Sequence, residues 1–302
     1  MRDSRLLLRH GTLRGALLER SRHALACGAM QSIETAEEIV PDGGVDFVVR
    51  RVSSLARKQE DTKRRREGAP ANPFLPHEAD LFVAEVSDTH FALLNKFNVI
   101  DNHLLLVTRS FVHQETLLDP GDFAALAACM GEYDSLGFYN GGVVAGASQP
   151  HKHLQLVPLP LAKTGPPLPM EALFSRVHGR NGIARVPGLA FSHAFAWMEP
   201  ARFQGEAGIA PRLHALYLEL LAAVGLESVR VHGEVRQSAP YNLLLTRRWM
   251  LLVPRSKEHF GSISVNALGF AGSLFVRDAG QTELVRRAGP MAVLRGVSVG
   301  RT

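Results

Sequence analysis

Apolar and polar residues change period several times along the 302-residue chain, and each change marks an element. The first thirty residues, MRDSRLLLRHGTLRGALLERSRHALACGAM, form an arginine-rich pattern that predicts an amphipathic helix. Its apolar stretch Leu6–Leu8 is too short for a signal-peptide core, and Asp3 and Glu19 argue against an organellar presequence, so a structural helix is expected. VDFVVRRVSSL alternates like a strand leading into a basic segment, and LFVAEV, THFALLNKFNVI and NHLLLVTRSF follow as β-rich runs. From Asp119 to Leu136 the period becomes helical: Phe123, Leu126, Ala127 and Met130 share a face, with Asp119 as cap and Pro120 in the first turn. GFYNGGVVAGASQP reads as a glycine-rich loop, HKHLQLVPLPL as a strand and AKTGPPLP as another loop. A helix near Pro211–Val224 and two strand-like runs, YNLLLT and RWMLLVPR, complete an α/β pattern.

The chain also repeats itself. HLLLVTRSFVH (103–113) aligns without gaps on WMLLVPRSKEH (249–259), with six identities in eleven positions, and upstream Phe97-Asn98 corresponds to Tyr241-Asn242. This predicts one unit made of two related halves.

Composition narrows the class. With 46% apolar and 21% charged residues, 27 Gly and 17 Pro, the chain can bury a substantial core, which excludes disorder, collagen and coiled coil. No window reaches the ~18 uninterrupted apolar residues that cross a bilayer, so a soluble protein without membrane contact is expected. Cys27 and Cys129 make no disulfide framework and cannot build a cysteine zinc site, which points to a reducing cytoplasm. The formal charge of +5 is concentrated in residues 50–67, where Arg50, Arg51, Arg57, Lys58, Lys63, Arg64, Arg65 and Arg66 face only three acidic side chains. One local cluster bounded by GAPANP reads as a solvated loop able to meet phosphates, and not as a duplex-binding face for nucleic acid.

The segment Gly146-Ala-Ser-Gln-Pro-His-Lys-His-Leu-Gln155 carries the chemistry. In a strand, His151, His153 and Gln155 lie on one face with Lys152 and Leu154 on the other. The preceding stretch from Gly141 to Gln149 has little side-chain bulk, so its backbone N–H groups can approach an anion. One imidazole as nucleophile, a second positioning it and donors on non-bridging oxygens suit attack on phosphorus. A P-loop is excluded because the Gly-Lys-Ser/Thr ending is missing. A metal held by His-x-His would have Gln155 as a poor third ligand, so no metal residue is expected.

GASQPHKHLQLVPLP resembles the active-site signature of the ATP adenylyltransferase, or diadenosine tetraphosphate (Ap4A) phosphorylase, family, a branch of the histidine triad superfamily in which the third histidine is glutamine. NPFLPHEADLFV, LLNKFNVIDNHLLLVTRSF, FYNGG, PYNLLLTRRWMLLVPRS and SVNALGFAGSLFVRD are similar to further family segments in family order. The resemblance implies a histidine-triad-like α+β fold, a mainly antiparallel sheet flanked by helices, with two pseudo-duplicated halves. Residues 1–44 would be an N-terminal helical segment packed on the core, 45–165 the catalytic half and 166–302 the second half of one compact unit. It implies that His153 is the nucleophile, that His151 orients it and that Gln155 bonds the α-phosphate region. Gly146, Ala147, Ser148 and Gln149 match the phosphate loop, Asn140 a polar contact upstream, Asn95-Lys96 a pair on the preceding strand, and Lys58 a substrate-contacting lysine. Asn266-Ala267-Leu268 matches a nucleotide-binding stretch, while Ser273 and Arg277 stand where the family pattern has Met and Lys.

The activity so implied is phosphorolysis of Ap4A by inorganic phosphate to ATP and ADP through an adenylyl-histidine, with adenosine 5′-phosphosulfate as a further candidate donor. The expected partners are small nucleotides and phosphate, the expected state a monomer or weak homodimer. No covalent cofactor is implied, and any Mg2+ arrives on the polyphosphate. Two competing readings are a hexose-1-phosphate uridylyltransferase-like enzyme, whose H-P-H-x-Q signature differs here at Lys152, and a non-enzymatic nucleotide sensor.

Overall fold

The computed structural model describes residues 5–52, 72–199, 208–231 and 233–301. Helix α1 (Leu13–Ala26) is followed by the hairpin β1 (Thr35–Asp42) and β2 (Val45–Val52). β3 (Phe82–Glu85), β4 (His90–Leu94) and β5 (Leu104–Thr108) precede α2 (Pro120–Met130), and β6 (Ser135–Gly141) and β7 (His153–Pro158) follow it. A single turn α3 (Glu171–Phe174) and β8 (Ala194–Trp197) lead to α4 (Ile209–Ala223). Six strands come next, β9 (Ser228–Val231), β10 (Glu234–Gln237), β11 (Tyr241–Leu245), β12 (Trp249–Pro254), β13 (His259–Phe260) and β14 (Ile263–Ser264). β15 (Ser273–Val276), α5 (Ala279–Ala288) and α6 (Pro290–Val297) close the described chain.

Eight strands form one sheet in the order β3-β4-β5-β7-β6-β11-β12-β8, with every neighbouring pair antiparallel. The runs HFALL, LLLVT, YNLLL and WMLLVP are buried along their whole length, so both faces of the sheet are covered. Alternation sorts them: Leu104, Leu106, Leu154, Leu156, Leu243 and Leu245 point into a core shared with α1, α2 and α4. Phe138, Val157, Leu244 and Leu251 point the other way, into a core closed by α3, α5 and α6 and by the smaller sheet β1-β2-β15. α2 begins where its sequence directs, with Pro120 in the first turn. Asp119 Oδ1 accepts from the Asp122 N–H at 3.0 Å, and Asp122 Oδ2 accepts from the Asp119 N–H at 2.7 Å.

Several expectations need correction. The stretch GFYNGG is not all loop: Ser135–Gly141 is a fully buried central strand. A Cβ on Gly137 would lie 3.1 Å from Leu126 Cδ1 and 3.2 Å from Met130 Sδ, so glycine there serves close packing of α2 on β6, and the loop begins only at Gly142. The helix over 119–136 ends at Met130, because Ser135 and Leu136 already belong to β6. Among its described residues, segment 1–44 is helical over Leu13–Ala26, and Thr35–Asp42 is strand β1. Arg50 and Arg51 lie in β2 and not in a solvated loop; Arg50 is buried, paired with Glu37 at 3.1 Å.

The repeat alignment also shifts. β5 is third from the seam where β6 meets β11, whereas β12 is second, so the two matched segments are not equivalent places in the sheet. The pairing that spans the seam sets Asn140 opposite Asn242 and Tyr139 opposite Leu243, which brings Tyr139-Asn140 of one half into a two-fold relation with Tyr241-Asn242 of the other.

Candidate active site

β7 occupies the middle of the sheet between β5 and β6, and its alternation decides what each residue meets. His153 and Gln155 stand on one face with Leu105, Val107 and Phe138 as cross-strand partners. Lys152 and Leu154 stand on the other. There Lys152 Nζ meets the Asp122 carboxylate and the Leu117 carbonyl, and His90 Nε2 lies 3.0 Å from Asp122 Oδ1. Burial alone would raise the Asp122 carboxyl, but the Lys152 charge and the His90 contact outweigh it and hold it well below the usual carboxylate range.

His153 is 3% exposed, and its Nδ1 lies 2.8 Å from the main-chain oxygen of His151. A carbonyl only accepts, so Nδ1 carries the proton and Nε2 keeps its lone pair. Burial pushes the His153 imidazole down to about 4, so it is neutral at neutral pH. The contact from His151 to His153 is made by its carbonyl and not by its ring nitrogens. His151 Nε2 donates to the Thr108 oxygen at 2.9 Å and its Nδ1 accepts from Asn72 Nδ2 at 3.0 Å, with the Asn72 amide fixed by the Phe74 N–H on its Oδ1 at 3.0 Å. Both His151 nitrogens are therefore engaged, and the two histidines offer no converging lone pairs to a metal. Phe74 packs on both rings, with centroids 5.6 Å from His151 and 5.2 Å from His153.

Gln155 Oε1 lies 2.9 Å from His103 Nε2, whose Nδ1 lies 3.3 Å from Asn95 Nδ2. Asn140 Oδ1 accepts twice, from Asn242 Nδ2 at 2.8 Å and from the Ala267 N–H at 3.0 Å. In both side chains the oxygen is occupied by protein donors, and the amide N–H2 is what each has left to offer an anion.

The loop is tied down more than expected. The N–H groups of Gly142, Ala145, Gly146 and Ala147 donate to Asn140 O, Gly142 O, Val143 O and Gly142 O, at 2.8 to 3.1 Å. Gly146 and Ala147 therefore have no backbone donor to spare for an anion. Neither exposed Ser148 nor half-buried Gln149 donates to a described backbone carbonyl, so theirs remain. Gly146, at φ +89°, touches the Asn266 segment so closely that a Cβ would sit 2.8 Å from Asn266 Cβ. Loop 146–149 and residues 266–268 are thereby brought together. Asn266 Oδ1 caps the Leu268 N–H at 3.0 Å, and Leu268 is buried.

Other candidates lie elsewhere. Lys96 is ion-paired with Glu78, and Arg277 is exposed, its N–H donating to Gln281 Oε1 at 2.8 Å. Ser273 is fully buried with its hydroxyl on the Arg50 guanidinium at 3.3 Å, so a substrate contact there would have to displace an arginine. Lys58 and the rest of the basic run beyond Val52 lie outside the described residues.

Sequence reasoning missed Gln114 and Arg255. Gln114 Oε1 accepts the His153 N–H at 2.9 Å while its Nε2 donates to Asn140 O at 2.9 Å, clamping the His153 strand to β6. Arg255 donates to Asn242 Oδ1 at 2.6 Å and to Ala145 O at 3.3 Å, and burial pushes it down to about 10. The sequence signals for it were its match to Arg109 in the repeat and its place in the family-like run PYNLLLTRRWMLLVPRS.

Known families and structures match this arrangement. The Ap4A phosphorylase N-terminal domain family matches residues 3–176, and the ATP adenylyltransferase C-terminal domain family matches residues 187–300. Diadenosine 5′,5′′′-P1,P4-tetraphosphate phosphorylase 2 of Saccharomyces cerevisiae is 26% identical over 266 residues, 80% of each chain. Protein APA1 of the same yeast is 24% identical over 263 residues, 81% of this chain and 80% of that one. The crystal structure of yeast Ap4A phosphorylase Apa2 in complex with Ap4A superposes with a TM-score of 0.78 at 22% identity, covering 98% of this chain and 100% of the other, and so shares the fold. The chain belongs to the Ap4A phosphorylase and ATP adenylyltransferase family.

Proposed function

We propose that this chain is a nucleotidyltransferase that splits Ap4A with inorganic phosphate into ATP and ADP, with His153 as the nucleophile. Nε2 of His153 attacks the α-phosphorus; a P–N bond forms, the bridging P–O bond breaks and its electron pair leaves with ATP. A phosphate oxygen then attacks the same phosphorus from solvent, a P–O bond forms, the P–N bond breaks, and ADP departs with His153 restored. Both leaving groups leave without needing a proton, because ATP departs as a phosphate oxygen, whose last ionisation is near ~6, and the imidazole departs neutral. The positive charge that the ring acquires while bonded to phosphorus rests against the His151 carbonyl through Nδ1–H.

The observation that carries this reading is the Nδ1–H bond to the His151 carbonyl, which leaves a bare Nε2 on a neutral, buried imidazole. The amides of Gln155 and Asn140 and the free N–H groups of Ser148 and Gln149 would hold the non-bridging oxygens, and Asn266–Leu268 would flank the nucleoside. Lys58, Asn95 and, on exchanging its Glu78 ion pair, Lys96 would meet the polyphosphate beyond the transferred group, and adenosine 5′-phosphosulfate would be a shorter alternative donor. No resident cofactor enters either step, and any Mg2+ would come with the polyphosphate. The free thiols of Cys27 and Cys129 accord with a reducing cytoplasm. Names of the yeast relatives support the substrate, and likeness in fold supports the frame.

Mass spectrometry of the protein incubated with Ap4A and no phosphate tests the mechanism. The wild type should gain one adenylyl group, and His153→Ala should gain none and lose phosphorolysis while still binding nucleotide. Substantial phosphorolysis by His153→Ala would overturn it.

A further inference from the structure

We infer that His103 is a positioning residue that sets which end of the Gln155 amide meets the transferred phosphate. The inference rests on the reading that Gln155 touches that phosphate. A glutamine amide has two ends of nearly equal shape and opposite polarity, and a phosphate oxygen only accepts. With N–H2 inward Gln155 is a donor to the reacting group; turned over, it sets oxygen against oxygen.

The choice is made by a relay that starts at the backbone. The Phe97 N–H, which can only donate, reaches Asn95 Oδ1 at 3.3 Å, so the Asn95 N–H2 is the end that faces His103 Nδ1, at 3.3 Å. Nδ1 must then accept, and a neutral imidazole has one N–H, so that proton sits on Nε2. Nε2 donates to Gln155 Oε1 at 2.9 Å, which turns the Gln155 N–H2 outward to the site. Asn95 is tied to the same ring's residue by its own N–H, which donates to the His103 carbonyl at 2.9 Å, and the ring packs against Phe138 with centroids 5.7 Å apart. His103 is 7% exposed, and burial keeps it neutral at neutral pH, as the relay requires.

Three variants, His103→Leu, His103→Gln and His103→Glu, made in the wild type and in Gln155→Ala, test this. His103→Leu removes the donor, and kcat should fall on the order of 10- to 100-fold, the usual cost of losing a group that orients another, with little change in KM. His103→Gln supplies an amide donor and should restore most of it. His103→Glu has the same shape but as a carboxylate only accepts, so it draws the Gln155 N–H2 to itself. It should be worse than His103→Leu at pH 8 and recover as pH falls and the carboxyl becomes a donor, opposite to the direction expected of a merely damaged fold. In Gln155→Ala all three should add nothing.

Equal losses in the two backgrounds, or a Glu variant that matches the Gln variant at every pH, would overturn the role of His103. Wild-type phosphorolysis by Gln155→Ala alone would instead overturn the reading of Gln155. Should His103→Leu fail to fold by thermal unfolding, the Gln and Glu pair, equal in volume, still decides.

Discussion

An imidazole that attacks phosphorus needs one nitrogen bare and the other protonated, and a buried ring is given that tautomer by whatever sits behind it. At His153, the proposed nucleophile, the partner is the carbonyl two residues earlier in the chain, at 2.8 Å, so the segment that presents the ring also sets its protonation. A neutral hydrogen bond of this kind contributes about 1 kcal/mol, and about twice that once the ring gains positive charge. In the proposed reaction the third position of the motif has no acid to supply, because the leaving group would be a phosphate oxygen, and an amide suffices. Gln155→Ala should therefore slow both formation of the adenylyl-enzyme and its attack by phosphate, by on the order of 100-fold if it removes one donor to the developing charge. Gln155→His, which can titrate, should raise the share of product formed by water. Single-turnover quench experiments with and without phosphate measure both, and unchanged rates in Gln155→Ala would remove the amide from the mechanism. The sequence already placed His153 and Gln155 on one face by alternation alone. The hydrogen-bond polarity of Gln155 and His151 was not legible, because the partners that set it, His103 and Asn72, are 52 and 79 residues away in the chain and meet the motif only through the fold.

At the scale of elements, β7 is held from both sides. Its back is tied to the first turn of α2 by Lys152 and Asp122, both nearly fully buried, and its N–H edge is clamped to β6 by Gln114. The loop that follows β6 is closed by its own carbonyls and pressed against the C-terminal half at Gly146. That contact makes Gly146→Ala informative. A Cβ there would be 2.8 Å from Asn266 Cβ and 3.1 Å from the Val265 carbonyl, at a φ of +89° that L side chains rarely adopt. The substitution should cost about 1–3 kcal/mol of stability and separate loop 146–149 from residues 266–268, raising KM for nucleotide more than the lost stability explains. Urea denaturation and steady-state kinetics at one temperature check it, and a stable variant with wild-type KM would show that the two segments act independently. Helices α2 and α4 and strands β3, β4, β5, β7, β11 and β12 were legible because their apolar periods are strong. β6 was read as loop because its glycines, of which Gly137 lets α2 lie close, carry the same letter that ends strands elsewhere. β1, β8, β15, α5 and α6 have short or mixed patterns that only long-range partners resolve, as when β15 pairs in parallel with β2 across more than two hundred residues.

Across the whole molecule the two halves share one polar chain at the seam: Arg255 holds Asn242, Asn242 holds Asn140, and Asn140 holds the N–H of Ala267. The second half has no counterpart of the His-x-His motif, yet it fixes the Asn140 amide, which lies beside the His153 strand. The whole fold also carries an acid liability. His103, His153 and His193 are each pushed by burial from 6.5 down to about 4. His193 is locked neutral by geometry as well, since its Nδ1 donates to Phe191 O at 2.8 Å and its Nε2 accepts the Val186 N–H at 2.8 Å. In the unfolded chain these rings take up protons below their ordinary value, while the folded chain does not until near 4. Their stabilising effect is thus complete above about pH 6.5 and is lost as pH falls toward 4. At pH 5 each costs about 2 kcal/mol as an upper bound, against a typical total of about 5–15 kcal/mol. Asp122 acts later, because its depressed carboxyl keeps its contribution until lower pH. Denaturation midpoints should therefore be level from pH 8 to 7 and decline steeply from 6.5 to 4.5, with His193→Gln reducing the slope by up to about 1.4 kcal/mol per pH unit. His153 remains unprotonated over most of that range, so in single turnovers without phosphate, whose own ionisation falls near this window, adenylyl transfer lost between pH 6.5 and 5 should follow the folded fraction measured by circular dichroism, and its rate per folded molecule should hold. A rate per folded molecule that falls with a midpoint near 6.5 would mean that the nucleophile titrates as an exposed imidazole, and that the bare Nε2 is not protected by burial.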